Sequence, residues 1–204
     1  MALTAYDQIQ QTIKRYCWDR DDLSGMIPDW ITLCESRLNN LLLVQEMEAT
    51  AAVSLTSGVG TLPADYLAWR RVLTTDSPIR DLKWAEPNWA EDTFQPLVSG
   101  LANYFTIIGT AIKTYPLSAA SALTLTYYQR IPPLASNMTG NWVTQNHPQL
   151  YLYGCMIEAT PFLDDDDRIS TWGQMFNDAA QKVLNSDITG RWNRPIMRIR
   201  GITP

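Results

Sequence analysis

The apolar residues of this 204-residue chain change their spacing twice, and that change restricts the architectures open to it. Tyr6, Ile9, Ile13 and Tyr16 recur at helical intervals, and Ile27, Trp30, Ile31, Cys34, Leu38, Leu41 and Leu42 form one apolar stripe. Asp21, Asp22, Ser24 and Gly25 break the two runs apart. Thr4, with Asp7 three residues on, resembles a capping box, and Pro28 sits where a helix can open. From Glu48 to Tyr128 the period becomes two. Ala51 to Thr56 alternates, Pro63-Ala64-Asp65-Tyr66 reads as a turn before a strand, and Pro87 to Thr93 fits a short helix. Gly109-Thr110 between two β-rich runs, 104–108 and 111–115, is a two-residue hairpin turn. Leu123, Leu125 and Tyr127 then alternate with polar or half-polar neighbours. Helical spacing returns after Pro148, first with Leu150, Tyr151, Met156 and Ile157, then with Ile169, Trp172, Phe176, Ala180 and Val183.

A chain helical at both ends and extended in the middle is α+β by segregation. The expected architecture is a helical bundle of two helix pairs, over roughly 4–44 and 147–187, with an inserted antiparallel β-sheet or meander over roughly 48–130. Residues 1–190 read as a single domain and residues 191–204 as an extended C-terminal tail, where Pro195 prevents a regular helix.

Charge sharpens the distinction between body and tail. The total is −5, which speaks against a general nucleic-acid binder. Arg191, Arg194, Arg198 and Arg200 put +4 on the tail, which holds no acid, and so leave −9 on the rest. Trp192, Ile196, Met197 and Ile199 are costly to leave in water, and Arg and Trp are enriched at interface hot spots. Three readings of the tail stay open: docking on a protein, a solvated terminus, or phosphate contact with DNA.

Few residues suggest chemistry. The single histidine, His147, precedes a proline and reads as the residue before a helix. Cys17, Cys34 and Cys155 are too widely spaced for a metal or disulfide pattern and read as buried thiols. The run 164–167 is four aspartates. They lack the alternating spacing of a calcium loop, and a charged helix start is the simpler reading, with calcium binding the alternative. No nucleotide-binding or nucleophile-elbow motif is present, Gly58-Val59-Gly60-Thr61 reads as a turn, and Asn137-Met138-Thr139 matches the glycosylation triplet by chance. The N-terminus has no signal-like basic start and apolar run, and no stretch is long enough to span a bilayer, so a soluble protein made in the cytoplasm, without membrane contact, is expected. Neither an enzyme activity nor a cofactor or metal site is expected.

Ordered blocks carry a resemblance. They are Asp22-Leu23-Ser24 through Ile27-Pro28-Asp29-Trp30-Ile31, Glu35-Ser36-Arg37-Leu38-Asn39, and Leu62-Pro63-Ala64-Asp65-Tyr66-Leu67. Asn103-Tyr104-Phe105 through Ile108-Gly109 and Tyr127-Tyr128-Gln129-Arg130-Ile131-Pro132 follow. The last are Asn141-Trp142, His147-Pro148-Gln149-Leu150-Tyr151-Leu152-Tyr153-Gly154, Glu158-Ala159 and Pro161-Phe162-Leu163. Together they resemble the head-to-tail adaptor (connector) family of tailed phages. The resemblance implies a structural virion protein at the neck, forming a ring, usually of twelve copies, between the portal protein and a tail or nozzle protein. Genomic DNA would pass through the lumen without specific binding. It also implies that the C-terminal segment, with Arg191, Trp192, Arg194, Ile196, Met197, Arg198, Ile199 and Arg200, docks on the portal. The alternatives are another tail or nozzle structural protein and, from the eight Trp and the many carboxylates, a virion-associated glycan hydrolase.

Overall fold

The computed structural model describes residues 5–94, 99–118, 122–135, 140–163 and 168–192. The chain forms two compact units, one from residues 1–46 and 131–204 and the other from residues 47–130.

The first unit is helical. Its described elements are α1 (Tyr6–Tyr16), α2 (Ile27–Leu41), α4 (Trp142–Asn146), α5 (Pro148–Ala159) and α6 (Ile169–Trp192). α5 has Glu158 as its only charged residue and is apolar almost all round, which demands burial on every side. It therefore becomes the hub, with α1, α2, α4 and α6 packed around it. Gly154 makes the closest of these approaches possible. A Cβ there would lie 2.3 Å from the Cys34 sulfur of α2 and 3.3 Å from the Phe176 ring of α6. Most of the apolar stripes of α1 and α2 face inward, with Ile9, Ile13, Trp30, Ile31, Cys34 and Leu38 buried, whereas Tyr16 and Leu41 are exposed. α1 is capped at Ala5, one residue past the Thr4 expected from sequence, and the Ala5 N–H donates to Gln8 Oε1 at 3.4 Å.

The second unit is a sheet that curls towards closure. Its strands are β1 (Glu48–Thr56), β2 (Val59–Thr61), β3 (Tyr66–Thr74), β4 (Lys83–Trp84), β5 (Ser99–Gly100), β6 (Tyr104–Ile108), β7 (Ala111–Tyr115), β8 (Leu117–Ser118) and β9 (Ala122–Gln129). Seven pair in the order β3-β9-β1-β2-β7-β6-β4, and β5 and β8 form a separate parallel pair. The two ends of the seven-stranded sheet meet just before β4. Leu73 bridges Asp81, the Leu82 N–H donates to Val72 O, and the Thr74 N–H donates to Arg80 O, both bonds at 2.9 Å. Inside lie Val53, Val72, Phe105, Ile112, Leu123 and Leu125. Outside, α3 (Pro87–Thr93) covers β6, and its Ala90 is buried in one cluster with Ala85 and Tyr115. Glu86 caps α3 by accepting from the Asn88 and Trp89 N–H groups.

The α+β class holds, but the expected bundle of two helix pairs with a small inserted meander does not. The middle of the chain is a barrel-like seven-stranded sheet, because β1 pairs with β9 across seven registered positions and β3 pairs with β9 on its other side. A meander joins neighbours in sequence, whereas these strands take partners up to eighty residues away, as at Glu48 and Tyr128. The helices gather around α5 rather than in two pairs, because an all-apolar helix cannot leave one face to solvent. Within that corrected frame, the hairpin at Gly109-Thr110 forms with Ile108 opposite Ala111, and the short helix over Pro87–Thr93 forms where its spacing predicts.

Candidate assembly surfaces

Most of the recurring blocks turn out to be internal fastenings. Glu35 on α2 is buried, and its Oε1 accepts the Leu134 N–H at 2.7 Å and the Tyr151 hydroxyl at 3.1 Å. The Tyr151 oxygen accepts from Asn141 Nδ2 at 2.7 Å, and the same amide donates to Pro132 O at 2.9 Å. Asn39 Oδ1 accepts the Ile131 N–H at 2.8 Å. Three separated blocks of sequence thus meet in one polar cluster that fixes the path of residues 131–134. Burial pushes the Glu35 carboxyl above its ordinary value, and the bonds from Leu134 and Tyr151 pull it back in part. Burial, then the Glu35 charge, holds the Tyr151 hydroxyl well above the usual phenol range. Arg37 pairs with Glu158 and lies over the Phe176 ring, 6.0 Å from its centroid. In the sheet unit the Asp65 carboxylate accepts the Tyr127 hydroxyl at 2.9 Å, and Tyr66 stacks on the Tyr127 ring. Burial, reinforced by Asp65, raises the Tyr127 hydroxyl to about 12.

The residues considered for chemistry are not brought together. His147 lies between α4 and α5 as a cap residue, makes no side-chain capping bond, and stands edge-on to Trp142. Cys17, Cys34 and Cys155 are buried free thiols. Among the described residues no three His, Cys, Asp or Glu side chains converge to hold a metal ion. The aspartate run 164–167 and the triplet 137–139 lie outside the described residues. No described helix is long and apolar enough to cross a membrane.

The proposed docking tail has a defined root. α6 runs through Arg191 to Trp192, so these two residues continue the helix instead of beginning an extended segment. Asp187 holds that end with both oxygens. It accepts the Gln45 N–H at 2.8 Å and Arg191 Nε at 2.7 Å. Arg194, Ile196, Met197, Arg198, Ile199 and Arg200 lie outside the described residues.

Two surface features escaped sequence reading. The first is a groove of about 530 Å³ lined from α2, α5 and α6, where Leu33, Leu41 and Phe176 share the lining with the polar Ser36, Arg37, Asn40, Glu158 and Asn177. The second is the turn after α1. The Trp18 N–H donates to Arg15 O and the Asp19 N–H to Lys14 O, the two bonds of a helix end that normally carries glycine. Trp18 occupies that position at φ +54°, and Asp19 follows at φ +54°. A non-glycine residue in this region costs about 1–2 kcal/mol. Trp18 is 58% exposed, with the Arg168 guanidinium 5.4 Å from its ring centroid. No glycine marks the stop, so the sequence offers no signal that the helix ends there.

A family model described as SU10 adaptor protein matches residues 4–199. The chain belongs to that family. No curated protein matches it. The adaptor is accordingly a structural component of a phage virion. The blocks that carried the resemblance serve the adaptor as fold-defining contacts, which leaves its exposed features, the groove, the Trp18 turn and the root of the tail, as its candidate assembly surfaces.

Proposed function

We propose that this adaptor is a non-enzymatic subunit of the virion neck, which assembles with copies of itself into a ring and joins the portal protein to a tail or nozzle protein. The observation that carries the reading is the adaptor-family match over residues 4–199. The ring has twelve copies in this reading, and genomic DNA passes through its lumen without specific binding. A charge of −9 outside the tail suits such passage, since like charges repel.

The tail makes the portal contact. Its four arginines and five large apolar residues combine electrostatic steering with hot-spot chemistry. Its root on α6 is held by Asp187, which accepts from the Gln45 N–H and from Arg191 Nε. Many tails on one ring then bind as a multivalent set.

The test removes residues 193–204, a cut that keeps the Asp187–Arg191 pair. The truncated adaptor is expected to keep its circular dichroism and thermal midpoint but to lose co-sedimentation with portal. Undiminished portal binding would refute the tail assignment.

A further inference from the structure

Arg191 is one of the four arginines that the tail offers to the portal, yet in the single chain it is already engaged. Its Nε donates to Asp187 Oδ2 at 2.7 Å. The other oxygen of the same carboxylate accepts the Gln45 N–H at 2.8 Å. Gln45 opens the short turn Gln45–Met47, through which the chain leaves the helical unit for the sheet unit. Leu42, Val44 and Met47 are fully buried on either side, so packing sets the position of the Gln45 amide. The return connection is fastened to a different helix, its Ile131 and Leu134 N–H groups bonding Asn39 and Glu35 of α2. The Asp187 side chain is 10% exposed, and a carboxylate so far out of water relies on both of its donors. The two donors compete for one negative charge. When one withdraws, more of that charge is left to the other, and charge-assisted hydrogen bonds are the stronger kind.

We infer that Asp187 couples portal capture of the tail to the connection between the two units. As acceptors on the portal take Arg191, the Asp187 charge passes to the Gln45 N–H and tightens that bond. The inference rests on the tail reading above and adds a regulatory step to it, because a docking arginine must first give up or share an internal partner. The coupling is reciprocal, as any coupling between two equilibria must be. Whatever breaks the Gln45 bond leaves Arg191 held more tightly by Asp187 and weakens the portal's grip on the tail.

The experiment follows amide hydrogen exchange at Gln45 in the full chain, alone and saturated with portal protein. Portal is expected to slow it by about fivefold, the lower end of the usual couplings between sites. Arg191→Gln withdraws the guanidinium without portal and is expected to slow it by a similar factor in the chain alone. Arg191 lies at the end of α6, so this variant is expected to keep the wild-type thermal midpoint, and it decides the matter even where Asp187→Asn does not fold. Asp187→Asn removes the shared charge and is expected to abolish the response to portal. If the Gln45 amide of Arg191→Gln exchanges at the wild-type rate or faster, the coupling is refuted whatever portal does. A wild-type chain that binds portal with no change at Gln45 also refutes it, and the tail reading stands if removing residues 193–204 abolishes that binding. Slowing by portal that persists in Asp187→Asn means that portal covers Gln45 directly, which overturns the coupling too. If the chain without residues 193–204 binds portal undiminished, the tail reading itself falls and the coupling falls with it.

Discussion

Glu35 carries an unusual share of the helical unit's order for one side chain. Its carboxyl accepts from a backbone N–H and from a tyrosine hydroxyl while buried. Because folding raises its affinity for a proton above the ordinary value of 4.5, its contribution to stability is fully present below that pH and is lost as pH rises through the folded value. Glu35→Gln keeps an acceptor for both donors and removes the charge. Its thermal midpoint is expected to equal or exceed wild type at pH 7, with the difference shrinking as the pH falls through the raised folded value towards 4.5. Glu35→Ala instead strands two buried donors, at about 1–3 kcal/mol each. A midpoint for Glu35→Gln as low as that for Glu35→Ala would show that the charge itself is needed. Gly154 supports a second test. Gly154→Ala drives a methyl into the Cys34 sulfur and is expected to cost about 1–3 kcal/mol in chemical denaturation. Adding Cys34→Ala removes the clashing atom, so the double variant should recover most of that loss, a coupling that independent sites would not show.

At the scale of elements, the end of α6 is held by a single carboxylate. Asp187→Ala leaves the Gln45 N–H without its acceptor and removes the carboxylate that accepts from Arg191 Nε. Hydrogen exchange in the last two turns of α6 is expected to accelerate, while exchange in α5 stays unchanged. Uniform acceleration across both helices would mean that the contact supports the whole unit instead. Elements were legible from sequence where the signal was local. The Gly109-Thr110 hairpin, the helix opening at Pro87 and the inward stripe of α2 all follow from spacing and turn residues within a dozen positions. Two things were not local. The hub role of α5 depends on which helices surround it, and the barrel depends on β1 finding β9. The candidate surfaces divide the same way. Arginine content flagged the tail from sequence, but the groove exists only once α2 and α6 are packed, and nothing in Cys17-Trp18-Asp19 signals a left-handed turn.

For the molecule as a whole, the division of labour is between a fold held by internal polar fastenings and a surface left for partners. The blocks that carry the resemblance lie largely in the first category, with Glu35, Asn39, Asp65, Tyr127, Asn141 and Tyr151 all bonded to one another or to backbone. The features that would join the adaptor to its surroundings lie in the second. In the proposed reading the tail's arginines contribute to docking, so the affinity of the adaptor for portal is expected to fall as salt is raised from 50 to about 500 mM, where screening shortens the reach of exposed charges. An affinity that rises or stays level with salt would assign the contact to the tail's apolar residues alone. The central claim is most directly tested by electron microscopy of the purified chain mixed with portal protein. The account predicts a closed ring of adaptor density seated coaxially on one end of the portal. Portal particles with bare ends, beside adaptor that remains monomeric, would contradict it.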